Sequence, residues 1–431
     1  MAFVAANVVE VRAWERSVGA LSRSRSGAFG FEFDPQWVRA GIEISPLHLP
    51  LTVREVFRFP NLNRETWHGL PPAIADSLPD RFGNAIIDAE FARQGAAPDE
   101  ATALDRLVYT GARAMGALEF LPDNGPTSPP PTTLDIGRLV EVARDVVAGR
   151  FVDERESASA IEQLLSIGTS AGGARAKAVV NVDPVSHEVR PGQLPQEGYE
   201  SWLLKFDGVG RDSELGTPDD YGRTEYAYSL MARSAGIEMT PTRLLEEGGR
   251  AHFMTRRFDR PGGLRRLHSQ TLCALSILDY NQRGAHDYAQ LFQAIDALGL
   301  DADTRAQAFR RLVFNWMAAN CDDHTKNHSF LMDERGAWSL SPAYDLTHAH
   351  NPRGEWTYQH LMSVNGKFTG LTRADLTEFA ERHAVLGSGA IIDEVADSVA
   401  SWPVHAARAE LSPKLMERVR DDFQLDALTR R

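Results

Sequence analysis

The chain has 431 residues, 43% hydrophobic and 24% charged, and its 46 Lys and Arg against 59 Asp and Glu leave a formal charge of −13. This is an ordinary globular balance, which excludes a collagen-like, low-complexity or largely disordered chain and predicts about two to three domain-sized units. A net negative field repels phosphate backbones at long range, so unaided DNA or RNA binding is not expected, although a local basic patch could still hold a nucleotide.

No run approaches the roughly 18 apolar residues that cross a bilayer, so no membrane partner is expected. The start, MAFVAANVVEVRAWERS, lacks a basic opening and reaches charged residues early, which does not read as a secretory leader. Cys273 and Cys321 are the only cysteines and lie far apart. Two are too few for a disulfide scaffold or a Cys-based zinc site, and a cytoplasmic location is the simplest expectation.

In chain order, residues 3–13 are Val-rich and partly alternating and predict a strand, as do 27–34 and 48–53. Residues 69–95 mix turn formers with a helical stretch near their end, and 101–118 add a helix. Residues 1–121 thus predict a small α+β unit. The run PDNGPTSPPPTT, 122–133, sustains neither helix nor central strand and reads as a linker. Helices are expected over 134–150 and 157–166, then short strands at 176–182, 201–207 and 251–258. Between the last two, Ala227, Leu230, Met231 and Ser234 share one face of a helix over 223–236, with Gly236 as its stop. Beyond 268 the pattern is mainly helical, and Phe309, Leu312, Val313, Trp316 and Met317 stripe a helix over 305–320. The expected class is α+β: a sheet-containing lobe over 134–260 and a helical lobe over 261–431.

The strongest chemical signal is NCDDHTKNHSFLMDERGAWSLSPAYDL, 320–346. Asp322 precedes Asn327 by five positions. HSFLM and AWSLSPA predict two short strands around the turn DERG, and Asp345 follows. A hairpin returns its ends to one neighbourhood, which would gather Asp322, Asn327 and Asp345. Phosphoryl transfer needs such a set: one carboxylate for the attacking hydroxyl, and a carboxylate with an amide oxygen for Mg2+, which prefers hard oxygen ligands. Protein kinases carry the same Asp-to-Asn offset and a metal Asp beyond a hairpin. Asp322 is therefore read as base, Asn327 and Asp345 as magnesium ligands, and Lys326 as a group that steadies the γ-phosphate. A competing arrangement takes Asp322, Asp323, His324 and His328 as zinc or iron ligands for hydrolysis, but it leaves the upstream glycines and lysine without a role.

Upstream, SIGTSAGGARAKAVV, 166–180, places Gly168, Gly172 and Gly173 where backbone amides can approach an anion, with Thr169 and Ser170 adding hydroxyls and Arg175 and Lys177 adding charge. Taken alone, Gly-Gly is more often a plain turn. Lys205 interrupts the apolar run SWLLKFD and is either an edge-strand lysine or one that grips nucleotide phosphates. Glu225 is equally a first-turn helix acid or its partner. MTRRFDR, 254–260, falls where a strand joining two lobes belongs, and the backbone at Arg257 and Phe258 would meet the adenine edge.

In this order the motifs resemble the HipA-type serine/threonine kinases, toxins of type II toxin–antitoxin systems. ADSLPDRFGN (75–84) is similar to the family's N-terminal motif, SAGGARAKA (170–178) to its phosphate loop, and MTRRFDR, NCDDHTKNHSF and SPAYDL to the remaining signature. The resemblance covers nearly the whole chain. It implies a two-lobed protein kinase-like fold with an additional N-terminal subdomain, using ATP and Mg2+. It implies Asp322 as catalytic aspartate, Asn327 and Asp345 as metal ligands, Lys205 as the ATP lysine and His324 as a nucleotide-proximal residue. Ser170 would be the site of autophosphorylation, and hinge contacts would fall near Arg256 to Phe258. It further implies a HipB-like helix-turn-helix antitoxin, DNA contacts only through that antitoxin, and a protein substrate of the aminoacyl-tRNA synthetase class. The alternative is a non-catalytic nucleotide-binding corepressor acting with the antitoxin.

Overall fold

The computed structural model describes residues 3–126 except 54, 98 and 99; residues 134, 137–141 and 143; residues 176–209 except 193; and residues 220–429. It divides into two compact units, one of residues 1–210, 254–270 and 331–337, the other of 211–253, 271–330 and 338–431. The units interleave along the chain, whereas hydrophobic patterning suggests continuous segments.

The first unit opens with an antiparallel sheet of β1 (Val8–Ala13), β2 (Arg16–Arg23), β3 (Phe29–Phe33) and β4 (Leu118–Leu121), in the order β3-β2-β1-β4. Alternation buries Val9, Val11 and Ala13 on one face of β1. β2 escapes the hydrophobic pattern because Gly19 sits in it. A side chain there would meet the Glu32 carbonyl at 2.2 Å, so the close approach of β3 requires glycine. The strand expected over 48–53 is instead a series of turns. Pro46 and Pro50 cannot donate to a ladder, and Leu49 and Leu51 are buried without one. Helix Arg81–Arg93 is capped by Asp80, whose Oδ1 accepts from Gly83 N at 2.7 Å. Helix Ala103–Thr110 begins with a Thr102–Asp105 capping box and packs on β1 and β4.

The same unit holds β5 (Lys177–Val182), flanked by β6 (Val189–Pro191) and β7 (Glu200–Lys205), both antiparallel to it. Every residue of β5 is buried. The helices expected within 134–166 fall largely outside the described residues; 137–141 includes helical positions.

In the second unit, β8 (Thr242–Glu247) and β9 (Arg250–Arg256) form a hairpin around Gly248 and Gly249, both at positive φ. β9 begins here and ends in the first unit, beside β7. The remainder is mainly helical, as patterning expects. Helix Tyr221–Ser234 buries Tyr228, which meets Phe314 and Trp402 edge to face at 6.1 and 5.4 Å. The striped helix is Ala302–Met317, opened by Asp301 accepting from Thr304 N at 2.9 Å. It stops short of residue 320 because the chain turns through Ala319 at φ +53°.

Candidate active site

The loop after helix Ala302–Met317 is built by hydrogen bonds to its own last turns. Asn320 donates from Nδ2 to the Asn315 side chain at 2.9 Å, and its backbone N to the Asn315 carbonyl at 2.9 Å. Cys321 N donates to Ala349 O at 3.0 Å. These contacts deliver residues 322–327 from a rigid base.

Asp323 anchors the loop. It is fully buried and accepts from Tyr288 Oη at 2.9 Å, Leu361 N at 2.8 Å and the His360 Nδ1 at 2.9 Å. His360 stacks on Trp316 at 4.0 Å and brings Nε2 to 3.8 Å from Cys321 Sγ. Burial alone would push the imidazole down, yet Cys321 and the Asp323 carboxylate raise it to about 10. The shift favours the imidazolium, for which Asp323 is the counter-ion.

Asp322, one position earlier, has a side chain that is 47% exposed, the converse of its neighbour. Asn327 ends a short 3-10 turn, Thr325–Asn327, and donates from Nδ2 to the Asp322 carbonyl at 2.8 Å. That bond orients the amide and leaves Oδ1 as its acceptor atom. His324 Nε2 lies 3.9 Å from Asp322 Oδ1, and Lys326 Nζ sits 4.5 Å from the Tyr280 ring centroid.

The expected hairpin is present as β10 (Ser329–Met332) and β11 (Trp338–Leu340), neighbours in one sheet. Asp333 shapes the turn by accepting from Arg335 N and Ala337 N at 2.9 and 3.0 Å. Beyond it, Tyr344 Oη donates to Lys326 O at 2.6 Å and also meets Ser329 Oγ. Tyr344 precedes Asp345, and Lys326 precedes Asn327. The hairpin thus returns the chain to the Asp322–Asn327 loop. Asp345 adopts φ +53°, a left-handed conformation that costs a non-glycine residue energy and often marks functional positions. A carboxylate, an amide oxygen and a second, half-exposed carboxylate on one loop assembly suit Mg2+ chemically.

The zinc or iron arrangement fails. Asp323 is spent on Tyr288, His360 and Leu361, and His328 is buried against Tyr288, ring centroids 5.5 Å apart. Among the described residues no cluster of three His, Cys, Asp or Glu is placed to hold a metal.

Lys205, Arg257 and Phe258 belong to the first unit. Lys205 ends β7, directly opposite Lys177 on β5. Lys177 is not a surface charge: its Nζ pairs with Asp80 Oδ2 at 3.2 Å, each side chain only 3% exposed. Asp80 is the residue that sequence reasoning missed. Its place before a helix marks it as a cap, but no sequence signal names its lysine partner. Arg257 donates its backbone N to Ser201 O at 2.9 Å, and its guanidinium to Asp259. Neither donor is thus left for an adenine, and the Arg257 carbonyl is what remains of that expectation. Burial opposes ionisation of Asp259, but the Arg257 and Arg260 guanidiniums hold its carboxyl well below the usual range. Phe258 is half-buried. Glu225 lies past the first turn of its helix and is 2% exposed, so it is not a solvent-facing helix-start acid. Gly168, Ser170, Gly172 and Gly173 lie outside the described residues.

The buried histidines set a pH profile. Burial pushes His252 and His268 down to about 4 and, with the Arg311 charge adding, His328 to about 3. Between these values and 6.5 the unfolded chain binds protons that the folded protein does not, so stability falls as pH drops through that window. His360 has the opposite sign. Its contribution is full below 6.5 and is lost as pH rises towards about 10. Melting temperature against pH should therefore peak near pH 6.5, and His360→Gln should flatten the alkaline limb alone. An unchanged alkaline limb in that variant would refute the assignment.

Residues 169–403 match the family model of the HipA-like C-terminal domain, and residues 9–121 that of the HipA N-terminal domain. Two proteins of Sinorhizobium fredii, Y4dM and Y4mE, both named as kinases by inference, are 27% and 24% identical to the chain. The first match covers 52% of this chain and 58% of Y4dM, so the chain spans little more than half of that relative. The second covers 77% and 75%. Among solved structures, the HipA of Shewanella oneidensis MR-1, in a toxin–antitoxin complex with HipB and operator DNA, superposes with TM-score 0.62. The match has 17% identity and covers 96% of this chain and 95% of that one, a likeness of fold.

Proposed function

The chain belongs to the HipA family, and from that premise we propose that it is an ATP-dependent protein serine/threonine kinase. The observation that carries this reading is the loop assembly: Asp323 buried as anchor, Asp322 half exposed beside it, and Asn327 bonded to the Asp322 carbonyl. The Tyr344–Lys326 bond ties the Asp345 segment to the same loop. Asp322 accepts the proton of the attacking hydroxyl. Asn327 Oδ1 and the Asp345 carboxylate would hold Mg2+, and the chemistry it would supply is neutralisation of charge on the transferring phosphoryl group. Lys205 grips the nucleotide phosphates, Lys326 steadies the γ-phosphate, and His324 and the Phe258 segment lie along the nucleotide. Ser170 is the proposed self-phosphorylation site. A HipB-like antitoxin is the proposed partner, with DNA reached through it, and a component of the translation machinery is the proposed substrate. A cytoplasmic location goes with these partners, and no helix among the described residues is long and apolar enough to cross a membrane.

The test is incubation of the purified protein with γ-labelled ATP and Mg2+, followed by mass-spectrometric mapping. Label on the protein, expected at Ser170, and its loss in Lys205→Ala and Asp345→Asn support the reading. ATP binding without any turnover would overturn it in favour of a non-catalytic corepressor module.

A further inference from the structure

We propose that Asp80 is a positioning residue of the nucleotide site, acting through Lys177 on Lys205. The inference rests on the reading of Lys205 as the lysine that grips nucleotide phosphates. The register of β5 against β7 pairs Lys177 with Lys205. Residues directly opposite in an antiparallel pair project from the same face, with Cβ atoms roughly 4.5–5.5 Å apart, and like charges there repel. Water does not relieve this repulsion, because the Lys177 side chain is 3% exposed. Asp80 supplies an opposing charge. Its Oδ2 lies 3.2 Å from Lys177 Nζ, while Oδ1 accepts from Gly83 N at 2.7 Å at the start of helix Arg81–Arg93.

One carboxylate therefore does two things. It caps a helix of the N-terminal region and holds the lysine beside Lys205. The helix fixes the carboxylate, the carboxylate fixes Lys177, and Lys205 keeps its place because the charge of its cross-strand neighbour is opposed by that carboxylate. Without Asp80, Lys177 loses this carboxylate and repels the Lys205 side chain more strongly. Without Lys177, Asp80 is a buried anion that draws Lys205 towards itself. Either loss weakens phosphate binding, and removal of both charges restores it.

The experiment is a double-mutant cycle on the full chain, read by calorimetry with ATP and Mg2+ and by kcat and KM. Asp80→Asn and Lys177→Met are each expected to weaken ATP binding about tenfold, with kcat at saturating ATP within about twofold. The double variant should return to within about threefold of the parent. A purely structural pair would lower the melting temperature yet leave the folded protein's ATP affinity unchanged, which would overturn the proposal. Tighter binding in Asp80→Asn would also overturn it, since Lys177 would then be a phosphate ligand itself. If Asp80→Asn does not fold, Asp80→Glu keeps the charge but shifts it by one methylene. It should weaken ATP binding about threefold, and no change there would count against the proposal. Lys205→Ala separates the two levels. Unchanged ATP binding in that variant would sink the function proposed above, whereas weakened binding there with none in Asp80→Asn would sink this inference alone.

Discussion

Asp322→Ala is expected to slow phosphate transfer about a thousandfold, the usual scale for loss of a general base, while the protein melts within about 1 °C of the parent. The two halves of this result have separate causes. The Asp322 side chain is 47% exposed, so its removal opens no cavity in a packed core. The bond that shapes the loop uses the Asp322 carbonyl, which alanine retains: Asn327 still donates to it at 2.8 Å. What disappears is the carboxylate alone. ATP affinity should change little, because the proposed metal ligands are Asn327 and Asp345. A normal rate of labelling in the variant would remove Asp322 from catalysis. A melting temperature lowered by many degrees would make it a structural residue instead.

Asp323→Asn, one position on, should do the reverse and damage the fold first. The carboxylate is fully buried and is the counter-ion of His360, itself 5% exposed and raised to about 10. Asparagine keeps the shape but removes the carboxylate that opposes the imidazolium. Breaking a buried pair in this way costs about 3–5 kcal/mol. A loss of that size lowers the melting temperature by on the order of 10 °C in a chain of this length. Activity should fall at least tenfold as well, because Asp323 also binds Tyr288 and Leu361 N and so holds the loop that carries Asp322. Adding His360→Gln to Asp323→Asn removes the stranded charge and should recover most of the stability. Equal stability of Asp323→Asn and the parent, or no recovery in the double variant, would show that the pair does not anchor the loop.

These opposite expectations for adjacent aspartates mark where sequence reading reaches its limit. Local signals were sufficient for β1, β5, β7 and β9, for helix Ala302–Met317 and for the hairpin after Asn327. Alternation, helical stripes and turn formers are short-range properties, and the chain folds locally as they dictate. They failed at 48–53, where two prolines override an apolar run, and at β2, where a glycine needed for close strand approach dilutes the hydrophobic signal. The Asp-to-Asn spacing and the order of the motifs were also readable, and they sufficed to place the chain in its family.

Sequence by itself thus determined the class of fold and the family, and it singled out the stretch proposed to carry the chemistry. Tertiary structure alone decided which members of that chemistry are available. It committed Asp323 to His360 and Tyr288, Lys177 to Asp80, and both the backbone N–H and guanidinium of Arg257 to protein acceptors. The reason is that the availability of a polar group depends on burial and on its partner, and those partners come from distant parts of the chain that no local pattern can name.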